Sequence, residues 1–191
     1  MKKLIILSFI FLFQFNCLAQ NSPPPHLKGK ISYPAINVHP YSGVIDVEHD
    51  AMKYDASLDY KIVIDVYDKV KDSSKLHSPI REVARIFNLN VANGVPTDKL
   101  KMAAVVHYVG IDAILNDAAY EKKYGIKNPN VEAIKKLDEL GVNFYVCGQN
   151  LGMYNMTKEE LLPEIQVALS AKNAFITLDQ RGYTYINVNR D

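Results

Sequence analysis

The chain has 191 residues, 48% of them hydrophobic and 23% charged, with 22 basic side chains against 21 acidic. That mixture is too apolar for a disordered chain and long enough for one domain with a substantial core. The near-neutral balance, with no basic stripe interleaved with aromatics, argues against a nucleic-acid partner, and nine Gly, nine Pro and two Cys exclude collagen-like and disulfide-dense classes.

The first segment reads as an address. Met1-Lys2-Lys3 is a basic start, residues 4–13 are apolar except Ser8, and Cys17-Leu18-Ala19 offers a cleavage site before Gln20. This is the three-part pattern of a secretory signal, with an apolar run too short to span a bilayer. An uncleaved anchor is the alternative. A lipid anchor on Cys17 is disfavoured, because Gln14-Phe15-Asn16 lack the apolar and small residues such a signal uses. Residues 1–19 are therefore expected to be removed, leaving a periplasmic or secreted protein with no membrane segment. Cleavage would take Cys17 with it, and Cys147 would be the one remaining thiol.

Residues 20–57 read as a proline-rich arm, since five of the nine prolines fall between Pro23 and Pro40. Pro23-Pro24-Pro25 favours polyproline II and has no donors for a ladder. Residues 20–28 are expected to lack regular structure, and 33–47 to pack irregularly or as a short edge strand.

From Leu58 the pattern is regular, and residues 58–191 form the expected domain. Residues 60–67 (YKIVIDVY) predict a strand. Ser78-Pro79 opens a helix on which Ile80, Val83, Ala84, Phe87 and Val91 recur at helical spacing, ended by Gly94. Residues 100–107 (LKMAAVVH) predict a second strand, and 113–124 a helical region with a break near Asn116-Asp117. Asn128-Pro129 opens another helix, stopped at Gly141, before a third strand over 142–147 (VNFYVC). Thr157 and Glu160 have capping-box spacing. Residues 165–169 predict a fourth strand, Ser170 caps a helix running to Arg181, and 183–188 (YTYINV) predict the last strand. Strands alternating with helices imply a three-layer α/β/α fold with a mostly parallel five-stranded sheet.

In such sheets sites form at the carboxyl ends of strands. His107 closes the second strand and Cys147 the third. Gly148 permits a sharp exit that would leave the sulfur facing the crevice, and Gln149 and Asn150 offer amides for a polar or anionic group. A thiol beside backbone amides or a protonated His is stabilised as thiolate, its reactive form. The plain alternatives are a cysteine that acts as a small core hydrophobe and a histidine satisfied in the core. His39, Glu48, His49 and Asp50 match no metal-ligand spacing, so no metal or other cofactor is expected. Arg81 and Arg85, one helical turn apart, read as a solvated face. The sequence has no phosphate-binding glycine loop and no serine nucleophile elbow.

The segments VNFYVCGQNL (142–151), KEELLPEIQVALSA (158–171), RGYTYINV (181–188) and VVHYVG (105–110), with Asn128-Pro129-Asn130, resemble the DsrE/DsrF-like family over residues 58–189, and most closely its exported members. The resemblance implies an α/β/α fold, assembly into trimers or hexamers, and, in cytoplasmic sulfur-relay members, a cysteine that carries persulfide sulfur. Only Cys147 matches that cysteine, and His107 stands where members often have a histidine. Export and the long arm depart from the relay subunits. Two readings follow. One is a thiol or sulfur carrier acting through a persulfide or mixed disulfide on Cys147, supplied by a thiol or sulfur donor protein. The other is a non-catalytic ligand-binding or assembly module with a structural cysteine.

Overall fold

The computed structural model describes residues 22–189; the segment read as a signal, residues 1–19, lies outside them. Five strands form one parallel sheet: β3 (Tyr60–Val66), β4 (Leu100–Val106), β5 (Asn143–Cys147), β6 (Ile165–Ala168) and β7 (Thr184–Asn187). Their spatial order is β6-β5-β4-β3-β7. The chain therefore steps outward from β3 to β6, then crosses the whole sheet to place β7 on the other side of β3. Right-handed crossovers put connections of opposite direction on opposite faces. Helices α1 (Ser78–Ala92), α2 (Asp117–Tyr124) and α3 (Val131–Glu139) accordingly cover one face, and α5 (Ala171–Gln180), which makes the return, covers the other. The architecture is the expected three-layer α/β/α fold.

Alternate residues of each strand serve the two faces. Ile62, Ile64, Val66, Met102, Ala104, Val106, Phe144 and Val146 join the large core under α1 and α3. Val63, Ala103, Val105 and Cys147 join a smaller cluster with Ala171 and Leu178 of α5. Both faces are buried, which is why these strands read as continuous apolar runs rather than alternating ones.

Helix limits follow local chemistry. Pro79 lies in the first turn of α1 and His77, not Ser78, is its N-cap. Gly94 beyond its end has φ +98°, a conformation that favours glycine. The region expected over 113–124 divides as the sequence suggested: a 3-10 segment (Tyr108–Ile114) precedes α2, and the Asn116 side chain caps α2 by accepting from Ala119 N. Ser170 caps α5, its Oγ accepting from Asn173 N at 3.1 Å. The Thr157–Glu160 capping box is present but closes only a 3-10 turn (Lys158–Glu160).

Two features depart from the sequence reading. A fourth helix, α4 (Gly148–Met153), follows β5 without a loop. The arm carries a 3-10 turn (Pro25–Leu27) inside the stretch 20–28 expected to lack regular structure; beyond it the arm packs as expected, β1 (Ile31–Ser32) pairing antiparallel with β2 (Val44–Ile45), and Ile36 enters the main core, which thus reaches further toward the N-terminus than Leu58. Asn88 of α1 holds it. Its Oδ1 accepts from Ala35 N and Ile36 N, and its Nδ2 donates to Ile36 O and Ser42 O. Scattered apolar residues such as Ile36 and Val44 carry no periodicity, so only the folded partner makes them visible.

Candidate functional site

His107 sits one residue beyond β4, its N–H donating to Val66 O at 3.0 Å. Its Nε2 lies 2.8 Å from Asp65 Oδ1. Asp65 is buried near the end of β3, and its other oxygen accepts the Tyr185 hydroxyl of β7 at 2.5 Å. A carboxylate only accepts, so the His107 ring donates from Nε2. Asn189 closes the group from behind: Nδ2 donates to Asp65 O at 2.8 Å, and Oδ1 accepts from Tyr67 N and Asp68 N. Phe175 of α5 meets the His107 ring edge-on at 6.2 Å and Tyr67 lies tilted against it at 5.6 Å. Burial, then the hydrogen bond to the Asp65 carboxylate and its charge, push the Tyr185 phenol up to about 12.

Cys147 is the last residue of β5. Val106 and Val146 are register partners, so the residues that follow them, His107 and Cys147, leave adjacent strands; Cys147 packs in the α5-side cluster and His107 meets Phe175 of α5. The sequence places the sulfur toward an open crevice; the structure instead covers it with α5, leaving 5% of the residue exposed among Val63, Ala103, Val105, Ala171 and Leu178. The reason is the crossover, which lays α5 over the strand ends. A 240 Å³ cleft beside α5, lined by Tyr145, Ala168, Asn173, Ala174, Leu178 and Arg181, borders this cluster. Ala168, which lines this cleft, is the register partner of Cys147.

The three residues after Cys147 have structural partners. A Cβ on Gly148 would lie 2.8 Å from Ala168 O, so only glycine lets α4 start against β6. Gln149 Nε2 donates to Leu169 O at 3.3 Å. Asn150 Oδ1 accepts from Tyr108 N at 2.9 Å and so supports Tyr108 at φ +51°, directly after His107. These side chains frame the site by fixing the loops on either side of it.

A second cleft of 510 Å³ lies between the 3-10 segment, α2 and the stretch after α4, lined by Tyr108, Ile111, Leu115, Lys122, Tyr154 and Met156. Among the described residues no group of three or more His, Cys, Asp or Glu side chains could hold a metal ion. His39 Nδ1 accepts from Tyr41 N, His49 Nε2 lies 3.2 Å from Asn93 Oδ1, and Arg81 and Arg85 both pair with Glu82. No helix among the described residues is long and apolar enough to cross a membrane.

Sequence reasoning missed Asp65, Tyr185 and Asn189. A signal existed for the first: Asp65 is the one carboxylate inside YKIVIDVY, and a charge in a buried strand requires a partner. His107 follows the neighbouring strand, two residues beyond Val105, the register partner of Asp65.

The model of the DsrE/DsrF-like family matches residues 62–188. Among solved structures, the chain is similar to the protein of unknown function MTH1491 from Methanobacterium thermoautotrophicum, with a TM-score of 0.51 and 19% identity over 68% of this chain and 99% of that one. The ychN protein of E. coli aligns with a TM-score of 0.48 and 16% identity, over 66% of this chain and 97% of that one. No curated protein matches the chain.

Proposed function

The chain belongs to the DsrE/DsrF-like family, and from that premise we propose that it is an exported carrier of thiol-bound sulfur that works through Cys147. The observation that supports this reading is that Cys147 and His107 follow paired residues at the ends of adjacent strands, with the histidine held by a buried carboxylate. In the step proposed, the Cys147 thiolate attacks the outer sulfur of a persulfide donor. The new S–S bond forms on Cys147, the donor's S–S bond breaks, and the donor leaves as a thiolate, so no oxidant is consumed. A thiol-bearing donor protein is the partner this chemistry requires. Because α5 covers the sulfur, loading requires the α5 edge to yield at the cleft beside Ala168 and Leu178.

Self-association belongs to the same proposal. Leu169, Ile176 and Tyr185 are exposed on or beside α5, and a second copy of the chain is the occupant proposed for that surface, giving a trimer or hexamer. Light scattering at micromolar concentration should show the assembly, and a clean monomer would count against it.

The burial of Cys147 favours a second reading, a binding or assembly module in which the cysteine only fills space. Site-resolved iodoacetamide labelling separates the two. A carrier labels at Cys147 in the native protein and gains the mass of one sulfur on exposure to a persulfide donor. A thiol that reacts only after denaturation leaves the module reading in its place.

A further inference from the structure

Asp65 is a buried charge that sulfur transfer to Cys147 does not by itself require. Burying a carboxylate costs several kcal/mol unless every lone pair is engaged, so its partners show what it is for. One oxygen takes His107 Nε2 at 2.8 Å and the other takes the Tyr185 hydroxyl at 2.5 Å. Asn189 fixes the β3 backbone around it by bonding Asp65 O, Tyr67 N and Asp68 N. Residues from β3, β7 and the end of β4 therefore converge on one imidazole, with Phe175 and Tyr67 against its ring. The acceptor-only carboxylate assigns the ring proton to Nε2. Nδ1 is then the acceptor nitrogen of the ring. The His107 side chain is 26% exposed, so the ring is reachable from solvent.

We infer that Asp65 and Tyr185 are positioning residues that hold His107 as the Nε2–H tautomer, making Nδ1 the acceptor of the Cys147 thiol proton. The inference rests on the Cys147 reading proposed above. In the step, the S–H bond breaks and the proton moves to Nδ1, directly or through a water. The products are a thiolate and an imidazolium, and the Asp65 carboxylate offsets the new positive charge. A carboxylate kept only to satisfy the fold would tolerate an asparagine of the same shape. A carboxylate kept to set the tautomer would not, because an amide can turn its N–H₂ toward Nε2 and move the ring proton to Nδ1, as in the serine-protease triad.

The test uses the full chain with D65N, D65E and Y185F, read by nitrogen NMR of the His107 ring and by the pH profile of iodoacetamide labelling at Cys147, resolved by peptide mass. Wild type should show the Nε2–H tautomer. D65N should lose it, and its labelling near neutral pH should fall by about tenfold or more. The D65N and wild-type profiles should converge at high pH, where the thiol ionises without help. D65E should recover part of the rate, and Y185F, which leaves the carboxylate in place, should lose about threefold. If D65N does not fold, Y185F carries the test. Unchanged tautomer and unchanged labelling in the folded variants overturn the inference. If Cys147 of the wild type labels only after denaturation, the thiol reading fails and the proton-acceptor role fails with it. The NMR comparison then still reports whether the tautomer assignment was right, so the two failures are told apart.

Discussion

The two faces of the sheet are built from the same strands and do different work. Toward α1 and α3 the strands present Ile62, Ile64, Val66, Met102, Val106, Phe144 and Val146, under three helices and the docked arm. Toward α5 they present Asp65, His107, Cys147, Tyr145 and Tyr185, under a single helix. The first face supplies most of the apolar burial. The second carries the reactive and titratable side chains, with Asp65 and Cys147 buried, His107 partly exposed and Tyr185 exposed. Period-2 alternation is what makes this division possible, since every second residue can change character without disturbing the core opposite.

Two faces with different work must differ in what damage to them costs. Phe144→Ala empties a large buried site on the α1–α3 face and should destabilise the fold by about 3–5 kcal/mol. Next is Asn88→Ala, which strips partners from two backbone N–H groups and two carbonyls of the arm. A loss of about 2–3 kcal/mol is expected, with early proteolysis inside the β1–β2 segment. Cys147→Ala, on the α5 face, removes one sulfur atom and should cost about 1 kcal/mol, yet abolish labelling and sulfur loading at that position. Urea unfolding of the three variants measures the stability costs, and limited proteolysis and iodoacetamide labelling the rest. A Cys147→Ala cost equal to that of Phe144→Ala would mean that the α5 face is core after all.

The sequence made the α1–α3 face legible and the α5 face only partly so. Helical spacing at Ile80, Val83, Ala84 and Phe87 has one physical cause, a buried stripe, and the structure buries all four. The caps at Asn116 and Ser170 were legible because each is a local hydrogen bond. Helix α4 was not, because Gly148, Asn150 and Gly152 are poor helix formers; packing of Leu151 and the bond from Asn150 to Tyr108 override their propensity. The cover over Cys147 was also hidden. It depends on β7 lying beside β3, a non-local pairing that brings α5 across, and no local pattern encodes strand order. The same pairing brings Tyr185 to Asp65 across 120 residues of chain.

The smallest effects lie in pH, where the two regions respond at opposite ends of the scale. His77, the N-cap of α1, is buried, and neither ring nitrogen makes a well-aligned hydrogen bond. Burial lowers its pKa, against weaker opposing effects of the nearby backbone at Lys69 and Asp68 and the carboxylates of Asp68 and Asp112. The unfolded chain therefore takes up the proton first. Stability associated with neutral His77 is present above pH about 6.5 and is lost as pH falls below it. His77→Leu should flatten the acid side of a stability profile. Tyr185 behaves in the reverse sense. Its phenol is raised from 10.0 to about 12 in the fold, so its contribution is complete below pH about 10 and lost as pH rises from there through 12. Because 51% of Tyr185 is exposed, solvent screens the effect, and a few tenths of a kcal/mol is the expected size. Tyr185→Phe should remove that alkaline slope and leave the acid side unchanged. A residual slope in Tyr185→Phe belongs to Tyr33, Tyr120 or Tyr124, which are also raised; a slope unchanged from the wild type would show that the Asp65 group does not hold the Tyr185 phenol in the folded protein.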